Sequence, residues 1–484
     1  MLIKKDQTVI QAYFMDKSNL PGGQADTVYF PASSKDITQV LESANQTNTP
    51  VTISGAGTGT TGGRIPFGGY VISMEKMDRI LKIQRSPEIT TVTVEAGVTL
   101  KALDDYLKDN DQIYAPNPTE YTAQIGATIA NNSSGTHTFK FGATRKWVQG
   151  LTLVLPNGQL LKLSRGQLQA EGLLIGGHSN LPFSSVPIPS YTIPQTKNTA
   201  GYYAVPDMDL LDLFIGAEGT LGVIVEATLA IIPRPKSRLA FYLFFNDEAD
   251  ALVFASDLRG KRKSSSMLDP VCLEYFDSRA LTFLRSVFGN IPANANGCIF
   301  AEQWLDSSED SVLQAWINYL DRWDSVLSDT WCAQSEREHQ QFEEIRHGLP
   351  VAINETIARY NQPKVSMDFA VPEHNFSELV DLYQRVLSKA GIQWLTFGHI
   401  GDCHLHLNLL PRDDSEYHQA IKIYKQLAET VVRLHGTLSA EHGIGKLKHH
   451  YLKLMYGTEG IHQMQTVKKA FDPKGILNRG NIFS

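Results

Sequence analysis

Short apolar runs set off by glycine, proline and serine dominate the first half of the chain. Pro50 to Ser54 reads as a buried strand leading into a glycine loop. Tyr70 to Ser73, Thr91 to Val94 and Leu151 to Leu155 read as further strands, the last closed by Pro156-Asn157-Gly158. Asp36 to Ala44 and Leu100 to Leu107 carry helical patterns, so strands and helices alternate as in an α/β arrangement. From Gly166 to Pro206 the periodicity lapses, and a loop that long is expected to be functional or an insertion. The strand Val223 to Ile232 stops at Pro233-Arg234-Pro235, where the first domain is expected to end. Further on, Ala420, Tyr424, Leu427, Val431 and Leu434 fall at helical spacing, with Gly436 as the expected stop. The turn-rich tail, Phe471 to Asn478, is expected to fold back onto the first domain.

Composition narrows the class. A chain of 484 residues exceeds one core and predicts two or more domains. Its 42% hydrophobic and 20% charged content is that of a globular protein, and 44 basic against 51 acidic residues leave a net charge of −7. No basic cluster suits a nucleic-acid partner. Cys272, Cys298, Cys332 and Cys403 lie far apart without a CxxC, which argues against an iron–sulfur cluster and suits a reducing compartment. No leader-like apolar segment and no transmembrane span is evident, so a cytoplasmic location is expected, with peripheral membrane docking left open.

Gly57-Thr58-Gly59-Thr60-Thr61-Gly62 matches GxGxxG after a strand, but Gly63, Pro66, Gly68 and Gly69 deny it the following helix of a Rossmann site. Five glycines in the nine residues Gly55 to Gly63 still suit a backbone cradle for phosphate oxygens, rather than a plain turn between strands. Gly126 to Gly135 and Gly216 to Gly222 are two further small-residue segments, and three together suggest backbone closing around one extended ligand.

A second chemistry sits near the other end. Strand alternation would put His399 and His406 on opposite faces, unless the Gly401-Asp402 turn reverses the chain. Beyond that turn His404, His406 and Asn408 share one face, and Leu405, Leu407 and Leu409 the other. Two imidazoles with the Glu441 carboxylate fit zinc with an open position, and equally iron or manganese. His442, next to Glu441, is the better candidate for a base than for a ligand. Taken singly, each histidine could equally be core packing or surface. A metal-held substrate facing a redox cofactor implies an oxidoreductase.

These segments, with Pro116-Asn117-Pro118-Thr119 and Gly142, resemble the FAD-binding domain of the vanillyl-alcohol-oxidase-like (PCMH-type) flavoproteins. The C-terminal half resembles their FAD-linked oxidase C-terminal domain. The likeness runs from about residue 24 to the end and is strongest to the D-2-hydroxyacid dehydrogenase branch, which includes glycolate oxidase, D-lactate dehydrogenase and D-2-hydroxyglutarate dehydrogenase. It implies an α+β fold: a PCMH-type FAD-binding domain of two α/β subdomains over residues 24–235, and an α+β substrate or cap domain with an antiparallel sheet over 236–435. Residues 436–484 would carry Glu441-His442 and pack back toward the flavin.

The same resemblance implies contacts. FAD would lie against Ser54, Gly55, Ala56, Gly57, Thr58, Gly59 and Thr60, then Pro118 and Thr119. Further contacts would come from Gly126, Ala127, Asn131, Ser133, Ser134, Gly135 and Gly142, and from Glu218, Gly219, Gly222, Ile224 and Asn478. The first loop has no histidine for covalent attachment, so FAD is expected to bind non-covalently. Gly398 to Asn408 and Glu441-His442-Gly443 match the branch's two motifs, making His399, His406 and Glu441 ligands, His442 the base and Asn408 a substrate contact. The chain departs at Cys403 and His404, where the branch usually has Gly and Asn. His404 could be an extra ligand or a substrate contact, and Cys403 could sensitise the site to oxidation. Arg346 is the expected clamp for a substrate carboxylate, against the alternative of a surface salt bridge with Glu343, and Lys364 a second cation. In the tail, Arg479 and Asn481 stand where the family has Pro and Lys. The expected reaction is FAD-dependent oxidation of a D-2-hydroxy acid. A transferase of the alkyl-dihydroxyacetonephosphate synthase type and a flavin-bearing subunit of a larger complex are the alternatives. The electron acceptor (quinone, cytochrome or electron-transfer flavoprotein) and the oligomeric state, for which a homodimer is open, are not read from the residues.

Overall fold

The computed structural model describes residues 1–176, 181–263, 267–305, 309–326 and 328–483. Part of the expected insertion, residues 177–180, lies outside them.

The first sheet joins Leu2–Lys4, Thr27–Phe30, Tyr70–Ser73 and Val51–Ser54 in that order. Its last three strands are parallel, which requires crossovers. One crossover is the helix Ser34–Thr47. Ser33 caps it by accepting from the Asp36 amide, Ile37, Val40, Leu41 and Ala44 form its buried face, and Asn48 ends it in the left-handed conformation. No helix follows Gly62: the chain bends through Gly69 and enters the next strand. Rejection of a Rossmann site is therefore correct. The second sheet is antiparallel, in the order Ile80–Arg85, Thr90–Glu95, Val223–Pro233, Val148–Val154, Leu160–Ser164.

Ser237–Phe245 opens a seven-stranded antiparallel sheet, ordered Trp331–Ala333, Ser237–Phe245, Gly297–Leu305, Cys272–Asp277, Gln393–Gly398, His404–Leu410, Val365–Ala370. Alternation gives each strand two faces. Leu405, Leu407 and Leu409 join one apolar core with Met367, Phe369, Leu273 and Tyr275. The opposite face packs Cys272, Phe276, Phe300 and Leu410 against Ile345, Leu349 and Ile353 of the helix Glu336–Tyr360. At one end of that face the apolar residues give way to buried Glu274, Glu302, Asp368, His404 and Asn408. The polar end of this otherwise apolar layer is where the site lies.

The helix predicted around Ala420 to Leu434 spans Asp414–Arg433. Its stop differs from expectation. His435 adopts the left-handed conformation (φ 56°), while Gly436 is needed for space, since a Cβ there would come within 2.5 Å of the Ala370 carbonyl oxygen. The tail does return to the first domain: the Val51 amide donates to the Ile476 carbonyl (2.8 Å) and the Asn478 amide to the Val51 carbonyl (2.8 Å). The pattern missed a long helical segment, His449–Phe471, before that return; non-helical Gly457 kinks it. Among the described residues no helix is long and apolar enough to cross a membrane.

Candidate active site

A cleft of about 470 Å³ is walled by every residue from Gly55 to Thr61, with Pro118, Thr119, Gly126, Ala127, Asn131, Ser133 and Ser134 opposite. Glu218, Gly219, Gly222, Ile224 and Asn478 complete it. Small residues are needed here for close backbone approach. A Cβ on Gly126 would fall 2.6 Å from that of Ala96, and one on Gly135 would fall 1.9 Å from the Asn117 carbonyl oxygen. A Cβ on Gly59 would meet nothing within 4 Å, because that residue faces open space. Gln124 and Ser134 both line the cleft, and their buried Oε1 and Oγ have no hydrogen-bond partner. Unsatisfied buried polar atoms are costly, so they mark where a polar ligand belongs. An extended, phosphate-bearing cofactor such as FAD fits this combination of bare backbone and orphaned polar groups.

Three expected contacts are not on the cleft wall. Ser54 is fully buried, its hydroxyl held by the Gly55 carbonyl. Gly135 is spent on the approach to Asn117. Gly142, with φ 77°, ends the short helix Thr138–Phe141. Glu218 lines the cleft, but its carboxylate accepts from the amides of Ile444 (2.7 Å) and Gly445 (2.8 Å), binding the loop that carries Glu441 and His442 to the first domain. Asn478 fixes the tail in the same way, accepting from the Ile53 amide (2.8 Å) and donating to the Glu218 carbonyl (2.7 Å). Asn481 holds Gly63 and Lys446 at the same seam.

Glu441 and His442 line this same cleft. Behind them is a compact cluster. Gly398 ends one strand, Ile400–Asp402 forms a single tight turn, Cys403 takes the left-handed conformation, and the next strand starts at His404. The turn brings the His399 and His406 rings to 5.4 Å between centroids. Glu441 sits between them, with Oε2 3.4 Å from His399 Nε2 and Oε1 3.1 Å from His406 Nε2. One ligand atom from each of His399, His404, His406 and Glu441 lies within 4.8 Å of the others. Asp368, His406, Glu441 and His442 form a second, overlapping set. This donor chemistry fits a divalent cation of the borderline class.

Residues outside the two sequence motifs complete the electrostatics. Lys197, from the long loop of the first domain, places Nζ 2.8 Å from Glu441 Oε2 and 3.9 Å from Asp402 Oδ2. Burial opposes ionisation of Glu441, but the Lys197 ammonium, with His399 and His406, outweighs it and holds the carboxyl well below the usual range. Asp368 Oδ2 accepts from the backbone amides of Glu441 (3.2 Å) and His442 (2.9 Å) and from Ser439 Oγ (3.1 Å), and lies 3.1 Å from His442 Nδ1. Burial raises the Asp368 pKa, yet His442 and Lys448 drive it well below normal. Glu274 bridges Arg346 (Nε, 3.7 Å) and His399 (Nδ1, 3.5 Å). Burial pushes the His404 imidazole down to about 3 and lowers that of His406.

Other expectations fare differently. Arg346 is half-buried against Glu274 rather than paired with Glu343, and it lines a neighbouring cavity rather than the cleft. Lys364 is exposed and donates to Asn354 (3.2 Å), so it is not brought to the cluster. It precedes the strand Val365–Ala370, and along that strand about 13 Å separates it from Asp368. His404 and Asn408 are buried and do not line the cleft. The Cys403 side chain joins the apolar core on the far face of the sheet. Lys197 could have been suspected as a lone cation in the unexplained loop, but its partner is 244 positions away.

Comparison with known proteins agrees with this architecture. Residues 25–164 match a family described as an FAD binding domain, and residues 234–482 match the FAD linked oxidases, C-terminal domain. The chain belongs to the FAD-linked oxidases, and it is an enzyme of that FAD-binding oxidoreductase family. It is 28% identical to glycolate oxidase subunit GlcD of Bacillus subtilis (strain 168), over 95% of this chain and 89% of that protein. It is 29% identical to a D-2-hydroxyglutarate dehydrogenase of Stutzerimonas stutzeri (strain A1501), over 99% and 95%. A D-lactate dehydrogenase of Anaerostipes hadrus is 27% identical over 93% and 88%. A solved alkyldihydroxyacetonephosphate synthase superposes with a TM-score of 0.69 at 17% identity, over 98% of this chain and 82% of that one, a likeness of fold.

Proposed function

We propose that the protein oxidises a D-2-hydroxy acid to the 2-oxo acid, with FAD held non-covalently in the glycine-lined cleft and a divalent cation, zinc before iron or manganese, on His399, His406 and Glu441. One observation carries this reading: Glu441 and His442, adjacent in sequence, border the same cleft as Gly55 to Thr61. One proposed ligand and the proposed base therefore line the cleft proposed for the flavin. The relatives named for glycolate, D-lactate and D-2-hydroxyglutarate support the substrate class.

His442 is the base. Asp368 beside Nδ1 orients the ring and favours the proton there, leaving Nε2 to receive the substrate's hydroxyl proton. Asp368 can do so because three further donors fix its Oδ2. Arg346 is the cation for the substrate carboxylate, with Glu274 holding it in place. Asn408, on the strand of His406, is a polar contact for the acid. When bound, the flavin supplies a hydride acceptor and the cation stabilises negative charge on the hydroxyl oxygen, worth several kcal/mol. The acceptor that reoxidises the flavin is a quinone, a cytochrome or an electron-transfer flavoprotein.

Anaerobic titration of the holoenzyme with the D and L forms of lactate and 2-hydroxyglutarate, and with glycolate, tests the reading. Bleaching of the yellow flavin band by at least one acid, with the D form preferred where the acid is chiral, is expected. A flavin that stays oxidised with every acid refutes it.

A further inference from the structure

We infer that His404 is a third imidazole ligand of the cation this cluster holds, so that the donor set is three histidines and Glu441. The inference rests on the metal-assisted reading above and deepens it.

A nitrogen of His404 lies within 4.8 Å of a ligand atom from each of His399, His406 and Glu441. Its ring centroid is 4.6 Å from that of His406 and 5.4 Å from that of His399. These three imidazoles and one carboxylate could hold a single ion.

His404 is 0% exposed, and neither of its ring nitrogens has a hydrogen bond. An unsatisfied buried group costs about 1–3 kcal/mol, and one cation takes the single lone pair of a neutral imidazole, leaving the other nitrogen to a protein acceptor. Asp368 is the nearest candidate within the protein. Its Oδ1 lies 2.9 Å from His404 Nε2, a contact that leaves Nδ1 without a partner. The Asp368 carboxylate is held there, its Oδ2 tied to Ser439, Glu441 and His442. His404 is fully buried, deeper than Glu441 and His442, which line the cleft, and this favours a ligand role over a substrate contact.

The consequence is chemical. A third nitrogen donor moves the site away from ions that prefer oxygen, such as magnesium and calcium, and toward zinc or iron. It also leaves fewer open positions on the ion, so the site accepts fewer substrate oxygens than a two-histidine site would.

The test is X-ray absorption of the FAD holoenzyme loaded with zinc(II), which counts imidazoles through their multiple scattering. Wild type should give three. His404→Asn should give two and weaken zinc binding by about tenfold or more, with flavin content unchanged. The wild-type count stands even if the variant does not fold. A stoichiometric zinc site with two imidazoles in wild type, unchanged in His404→Asn, overturns this inference and leaves the proposed reaction intact. Failure of wild type to hold zinc, iron or manganese at all overturns the metal reading together with the inference.

Discussion

The cleft is walled in large part by small residues, with Gly55, Gly57 and Gly59 where other residues would put side chains. The cluster on its rim is the reverse: His399, His404, His406, His442, Asp368, Glu441 and Lys197 touch through their side chains, each charge answered by another. A site made of backbone is damaged by adding atoms. A site made of titratable side chains is damaged by removing them. The two halves should therefore respond to opposite kinds of mutation.

The sharpest break in that comparison is His442→Ala. Turnover should fall by about 10²–10⁴-fold, the usual worth of a general base, while the flavin spectrum and the metal content persist. Steady-state kinetics beside an absorption spectrum checks this. Near-normal turnover removes His442 from the mechanism.

Asp368→Asn comes next. Asp368 has a depressed folded-state pKa, so its stabilisation is present above the ordinary carboxylate range and lost as the pH falls through the folded value. The variant should be less stable by about 3 kcal/mol or more at neutral pH, as for breaking a buried charge pair. The gap from wild type should shrink as the solution is acidified. Urea unfolding at neutral and acid pH measures both. A gap that does not change with pH contradicts the assignment.

Gly135→Ala should cost less, about 1–3 kcal/mol for an overpacked site. Its new Cβ would collide with the Asn117 carbonyl, and flavin content should fall with the melting temperature. Gly59→Ala sharpens the contrast. Nothing protein-borne stands near its Cβ, so stability should move by no more than about 0.5 kcal/mol. FAD affinity should still drop. Equal loss of flavin and stability at Gly59 would mean that this glycine is structural.

The two halves also differ in how far the sequence disclosed them. A missing Cβ is visible in the sequence, so three runs of small residues gave away the cleft before any contact was known. Their details were not visible: whether Gly135 and Gly142 face the ligand or serve the backbone depends on where Asn117 and Lys146 lie. In the cluster, the Gly401-Asp402 turn and the alternation from His404 to Leu409 could be read because both are local. Lys197, Asp368 and Glu274 could not, since they arrive from other strands and loops through pairing register, as with Asp368 opposite His406. Lys364 misled for the same reason. It has the right charge near the right strand, but strand geometry sets it about two residue pairs beyond the cluster.

The central claim is that a cation held by side chains and a flavin held by backbone act on one substrate. Its most direct test is flavin reduction by a reactive D-2-hydroxy acid, followed anaerobically in enzyme stripped of divalent ions and then restored with zinc(II). The account predicts slow or absent bleaching in the stripped enzyme and recovery on restoration, with FAD bound throughout. Equal rates of bleaching with and without the ion would contradict it.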